Sequence, residues 1–327
     1  MKNKRIRSGI GACIGMLLLI LDGKTALEGA RSGIDLCIKT VVPSLFPFFL
    51  LSMLLTSACM GSSVKVLHPV GRLLGIPRGA ESILIAGFLG GYPVGAQSIA
   101  YAFRGGQLSQ KDAQRLLGFC NNAGPAFLFG MIACLFPRRW MAWSLWIIHI
   151  AAAVLTALLL PGKPLRETSM TPGSPLSISA ALTNTVRVMA TVCGWVILFR
   201  VVISFLNRWI LWILPAPARI AVTGLLELSN GCCELTAISD TSLRFILCSG
   251  MLAFGGLCVA MQTASVTEGL SLKTFFLGKL MQTCFSLLLA WAVISGELLP
   301  CGCLLLLFVV ITRKIQNFSS NRAPVGV

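Results

Sequence analysis

Acidic side chains are scarce in this chain, with 11 Asp and Glu against 27 Lys and Arg in 327 residues, and charge of either sign makes up only 12%. A soluble chain of this length needs a polar surface that such a composition does not supply. Histidine occurs only at His68 and His149, far apart, and no CxxC pair is present. A metal site needs three or four converging ligands, so no metal or cofactor is expected. The "CGC" at Cys301–Cys303 and the Cys232–Cys233 pair are too few to make one. There is no HExxH, GxSxG or P-loop, and no Ser/His/Asp or Cys/His pattern around either histidine, so no enzymatic activity is expected.

What the chain has instead is apolar matter: 56% hydrophobic residues and a mean hydropathy of +0.84. It is laid out in blocks of the length that crosses a bilayer as helix, at 8–22, 41–60, 82–103, 119–137, 140–160, 182–206, 219–238, 245–266, 275–297 and 299–312. The expected fold is therefore an all-α polytopic membrane protein with about 8–10 hydrophobic segments. "MKNKRIR" followed by "IGACIGMLLLI" has the look of a signal peptide, but no small-x-small cleavage site follows, so the first helix is expected to be retained. Most of the 13 cysteines lie in these blocks and read as small hydrophobes. The net charge of +16 is scattered between blocks. It reports orientation in the membrane, with a cytoplasmic N-terminus, rather than nucleic-acid binding.

A linker rich in Pro, Ser, Thr and Gly, 161–178, falls near the midpoint and separates two stretches, 29–160 and 179–298. A leading helix, 1–28, and a C-terminal helix with a polar tail, 299–327, flank them. The two stretches echo one another. "SLFPFFLLSMLL" (44–55) matches "ILFRVVISFL" (197–206), "AGFLGGYPVG" (86–95) matches "VTGLLELSNG" (222–231), and "FCNNAGPAF" (119–127) matches "FGGLCVAMQ" (254–262). If the segments 82–103 and 219–238 turn back within the membrane, the halves are inverted relative to each other; if they cross, the halves are parallel. Basic residues do not discriminate between the two.

These same segments carry helix breakers at membrane depth: Gly87, Gly91, Pro93 and Gly95, then Gly124 and Pro125, then Gly255 and Gly256. In hydrocarbon an unpaired backbone group costs several kcal/mol, so irregular backbone survives only where protein or water surrounds it. Such breaks are expected to open the backbone onto an interior cavity. The alternative is that the glycines serve close helix packing, as the Gly87–Gly91 and Gly91–Gly95 spacings allow. Beside the breaks stand groups able to hold a small polar solute or an ion: Tyr92, Pro93, Gln97, Asn121, Asn122, Glu227, Asn230 and Gln262. Glu227 stands out, because a carboxylate inside an apolar segment is rare and functional by default. It is open to binding a coupling proton or cation, or to an ion pair with Arg219, Arg187 or Arg200. Between the breaks, "GGQLSQKDAQRLLGF" reads as a short amphipathic helix capped by Ser109, with Asp112 at N3 and Leu108, Leu116 and Leu117 on its apolar side.

"GFLGGYPVGAQ", "KDAQRLL" and "FCNNAGPAF", followed by "GLLELSNG" and "LAFGGLCVAMQ", resemble the YlbJ family of sporulation integral membrane proteins, in the nucleoside-recognition or Gate domain group. The resemblance covers residues 30–300 approximately, and rests on Gly91, Tyr92, Pro93, Gly95, Asn121, Asn122, Gly124, Pro125, Gly255, Gly256 and Gln262. It implies a bacterial inner-membrane protein needed for spore formation, with a transporter-like fold in two related halves. The partners it implies are the lipid bilayer and either a small polar solute or other sporulation membrane proteins, self-association included. A non-transporting membrane scaffold is the other function compatible with it.

Overall fold

The computed structural model of the protein describes residues 2–59, 64–76, 79–160 and 176–322; the linker expected at 161–178 lies almost wholly outside them. Among the described residues the regular structure is entirely helical, and five helices are long and apolar enough to cross a membrane. The protein is an all-α polytopic membrane protein.

Helix α1 (Lys2–Leu21) is followed at once by α2 (Gly23–Leu36), whose N-cap Asp22 accepts from Thr25 N at 3.2 Å. A π turn (Cys37–Val41) joins α2 to α3 (Val42–Cys59) as one helical run of 37 residues. This differs from the sequence reading, which placed separate segments at 8–22 and 41–60: position 28 lies inside α2. The reason is a "GARSG" stripe on α2, where Gly29 and Gly33 press against a later helix. A methyl on Gly33 would fall 2.9 Å from Ile197 Cα.

The short α4 (His68–Leu74) ends in left-handed Gly75, with φ +65°. Helix α5 (Ser82–Ile85) continues as a π turn to Gly90, and after Gly91–Pro93 the chain resumes as α6 (Val94–Arg104). The two limbs lie side by side, because a methyl on Gly95 would fall 2.9 Å from Gly87 Cα. In a continuous helix, residues eight apart are separated by about 12 Å. The 82–104 segment is therefore a hairpin, and its limbs are too short to cross about 30 Å of hydrocarbon. Gly91 at φ +78° and the cis Tyr92–Pro93 peptide form its tip.

Helix α7 (Gln110–Leu117) is the expected amphipathic connector. Ser109 caps it by accepting from Asp112 N, and Leu108, Leu116 and Leu117 are all buried. Arg115 on its inner side donates to the carbonyls of Leu74, Ala157 and Leu160. An irregular stretch, 118–124, then leads into the short α8 (Pro125–Phe127), which π and 3-10 turns extend to Leu135. Helix α9 (Arg139–Leu159) closes this half.

After the linker, α10 (Ile178–Trp209) runs 32 residues from its Ser177 cap and receives α2 along its flank. Helices α11 (Ala216–Leu226) and α12 (Leu228–Glu234) form a second hairpin about Glu227. A methyl on Gly231 would fall 2.3 Å from Gly224 Cα, so here too the limbs touch backbone to backbone. Helices α13 (Thr241–Phe254) and α14 (Gly256–Val266) are parted by Gly255 and Gly256, with φ +81° and +84°. Helix α15 (Lys273–Ser295) packs between α9 and α13, and α16 (Leu298–Arg322) lies outside against α9 and α15.

Candidate functional site

The two hairpin tips face one cavity. Gly91 rests on the irregular stretch before α8, where a methyl on Gly124 would fall 3.0 Å from Gly91 Cα. The break before α14 meets the second tip in the same way: a methyl on Gly256 would fall 3.1 Å from Gly224 O and 3.3 Å from Leu226 O. Between the tips lies a cavity of about 40 Å³, lined by Gly90, Gly91 and Tyr92 from the first hairpin and by Glu227, Leu228 and Ser229 from the second. Gln262 of α14, Gly124, and apolar residues of α3 and α10 complete its wall. About 10–15 Å³ holds one water, so in this closed arrangement the cavity fits an ion or a few waters.

Of the residues picked from the sequence, Tyr92, Glu227 and Gln262 line this cavity together with Gly91 and Gly124. Glu227 is the N-cap of α12 and is 2% exposed. It accepts from Ser229 N at 3.1 Å, from Asn230 N at 2.7 Å and from Asn230 Nδ2 at 2.7 Å. This explains how a carboxylate sits there without a cation. Among the described residues neither Arg219, Arg187 nor Arg200 pairs with it; Arg200 instead reaches Glu234 at 3.6 Å and Ser32 Oγ at 3.0 Å. Asn230 therefore serves Glu227 rather than the cavity. Gln262 donates to Cys258 Sγ at 3.3 Å.

Asn121 and Asn122 are fully buried and spent on the protein itself. Asn121 Oδ1 accepts from Ala96 N, in the first turn of α6, at 3.3 Å, and its Nδ2 donates to Thr263 Oγ1 at 2.8 Å. It ties the first hairpin to α14 and caps α6 from a distant part of the chain. Asn122 Nδ2 donates to Phe119 O at 2.7 Å, while its Oδ1 faces α15. Neither lines the cavity. Gln97 faces a different one, of about 160 Å³, with Thr56, Ser98, Tyr101 and Asn184. Among the described residues Gln97 Oε1 and Thr56 Oγ1 have no hydrogen-bond partner. Pro93 shapes the first tip, and Gly87 and Gly95 both press on Cys120 O, a close approach that only glycine allows.

Sequence reading missed Lys279 and Gln282. Both are fully buried on α15, and Lys279 Nζ lies 3.2 Å from Tyr92 OH and 2.9 Å from Gln282 Oε1. The signal was present in "FFLGKLMQ", a lysine one turn inside an apolar block. His149 was also set aside as isolated, yet its Nε2 accepts from Ala123 N at 3.2 Å.

No family model matches the chain, and no solved structure matches it. Among curated proteins, the sporulation integral membrane protein YlbJ of Bacillus subtilis (strain 168) is 26% identical over 315 residues, covering 81% of this chain and 76% of the relative. This similarity, together with the helical membrane architecture, agrees with the motif resemblance drawn from "GYPVGA" and "NNAGP". The chain is a YlbJ-like, multi-pass integral membrane protein.

Proposed function

We propose that this protein is a membrane carrier for a small polar solute and acts in spore formation, the role named for its Bacillus subtilis relative. One observation carries the reading: two hairpins, neither long enough to cross, bring their tips to one cavity that holds a buried carboxylate and an amide. In the aligned stretches 86–95 and 222–231, Gly91 and Glu227 occupy the same place, and each is where its hairpin turns. The halves 29–160 and 179–298 then read as inverted repeats, with both hairpins re-entrant. Solute sites between broken helices near the midplane are a recurrent carrier plan. At about 40 Å³ the cavity is in its closed form, and a solute larger than a few waters enters only when a tip moves aside. Glu227 and Gln262 then supply acceptor and donor, and Tyr92 supplies a hydroxyl and a ring face.

The test is uptake into proteoliposomes of labelled nucleosides, nucleobases, amino acids and dicarboxylates, beside Gln262→Ala. Saturable uptake of one class, reduced in the variant at equal folded protein, supports the carrier. No saturable uptake of any compound leaves the second reading, a non-transporting scaffold, in force. That reading has its own observation: Asn121 caps a helix, and Gly87, Gly95 and Gly124 are used in close packing.

A further inference from the structure

Lys279 is an ionisable residue fully buried on α15, and among the described residues no Asp or Glu is paired with it. Its Nζ lies 3.2 Å from Tyr92 OH, 3.4 Å from Asn122 Oδ1 and 2.9 Å from Gln282 Oε1. Each of these neighbours is committed as an acceptor. Tyr92 gives its proton to Leu252 O at 3.1 Å. Asn122 spends Nδ2 on Phe119 O, which turns its Oδ1 toward the lysine. Gln282 spends Nε2 on Asn122 Oδ1 at 2.9 Å and His149 O at 3.4 Å, which does the same for its Oε1. Three acceptors require three donors, and of the two forms of an amine only the ammonium has three. The rings of Tyr92 and Phe275 add their faces, 5.0 and 6.0 Å from Nζ.

This is a cation site, made of neutral oxygens and aromatic faces, and the chain fills it with its own side chain. Its position gives it a task. Tyr92 belongs to the first hairpin tip, Asn122 to the stretch that closes over that hairpin, Leu252 to α13, and Lys279 and Gln282 to α15. The ammonium is therefore the common partner of parts that must separate if the first tip is to leave the cavity.

We propose that Lys279 is a tethered cation that latches the first hairpin tip to α15, so that the closed state forms without a free metal ion or other dissolved cation at this seam. Its link to transport rests on the carrier reading; the latch itself is a matter of stability and is tested without any solute.

The experiment is thermal unfolding of the full-length protein in detergent, in choline chloride, with ammonium, methylammonium, sodium or tetramethylammonium added. The parent is expected to melt at one temperature in all of them. Lys279→Ala is expected to melt several degrees lower and to recover part of that loss with ammonium or methylammonium. Tetramethylammonium, which has no N–H donor, should give no recovery. A Lys279→Ala protein that melts with the parent, or that no cation restores, overturns the proposal. If Lys279→Ala yields no folded protein, Lys279→Gln decides: melting below the parent is expected, and melting at or above it refutes the latch. Either failure leaves the carrier reading standing, since uptake is measured separately.

Discussion

The backbone contact between the limbs of the first hairpin is the feature most open to attack by a single methyl group. In Gly95→Ala the new Cβ would stand 2.1 Å from Cys120 O and 2.9 Å from Gly87 Cα. Carbon atoms in proteins meet at about 3.5–4.0 Å, so relief requires backbone to move by more than about 1 Å. Both obstacles are main chain, and neither can rotate away. Overpacking of this kind costs about 1–3 kcal/mol or more, while alanine regains about 1 kcal/mol of helix propensity. The net expectation is a loss of up to about 2 kcal/mol. Gly194→Ala is the control: it lies on the exposed side of α10 with nothing within 4 Å of its Cβ position. There the same substitution should stabilise by about 0.5–1 kcal/mol. Thermal unfolding in detergent, followed by the fluorescence of the seven tryptophans, reads both variants on one scale. Gly95→Ala melting level with Gly194→Ala would refute the side-by-side limbs.

Four further substitutions probe the site and its supports. Glu227→Ala removes the acceptor for Ser229 N, Asn230 N and Asn230 Nδ2, and the loss of a buried cap should lower stability by about 1–3 kcal/mol; unchanged unfolding would place the carboxylate elsewhere. Asn121→Ala and Thr263→Val break the same 2.8 Å hydrogen bond, so their costs should fail to add by about 0.5 kcal/mol or more in a double-mutant cycle. Full additivity would mean that the bond between the first half and α14 is not made. Ser109→Ala should cost only about 1 kcal/mol, because the cap it removes from α7 is exposed, and a large loss there would contradict the connector role.

The sequence made the spans legible because their length and hydropathy are local properties. The amphipathic α7 was legible for the same reason, down to its Ser109 cap and buried Leu116 and Leu117. The fused α2–α3 run was not. Helix α2 is polar enough to pass for a loop, and its "GARSG" stripe acquires meaning only when Ile197 and Ser204 are found against it. The hairpins were left open because Lys and Arg counts fit both topologies; what distinguishes them is the approach of Gly95 to Gly87 and of Gly231 to Gly224, a tertiary fact. Asn121 and Asn122 were noticed for being polar at membrane depth, but whether an amide faces a cavity or another helix is settled by its partners. Here those partners, Thr263 and Gln282, come from 142 and 160 residues away in the chain. Lys279 did not stand out because Tyr92 and Asn122, which hold its ammonium inside, reach it only through the fold.

The proposed function centres on the cavity between the hairpin tips, and ligand-induced stabilisation tests it most directly. The parent and Glu227→Gln would be unfolded thermally in detergent with a panel of nucleosides, nucleobases, amino acids, dicarboxylates and divalent cations. A ligand present at about a hundred times its dissociation constant adds about 2.7 kcal/mol to the folded state, which a melting curve resolves. A rise in melting temperature with one class of compound is expected in the parent, and it should vanish in Glu227→Gln when each protein is compared with its own ligand-free melt. A rise that survives in the variant would put the solute elsewhere, and no rise with any compound would contradict solute binding at the hairpin tips.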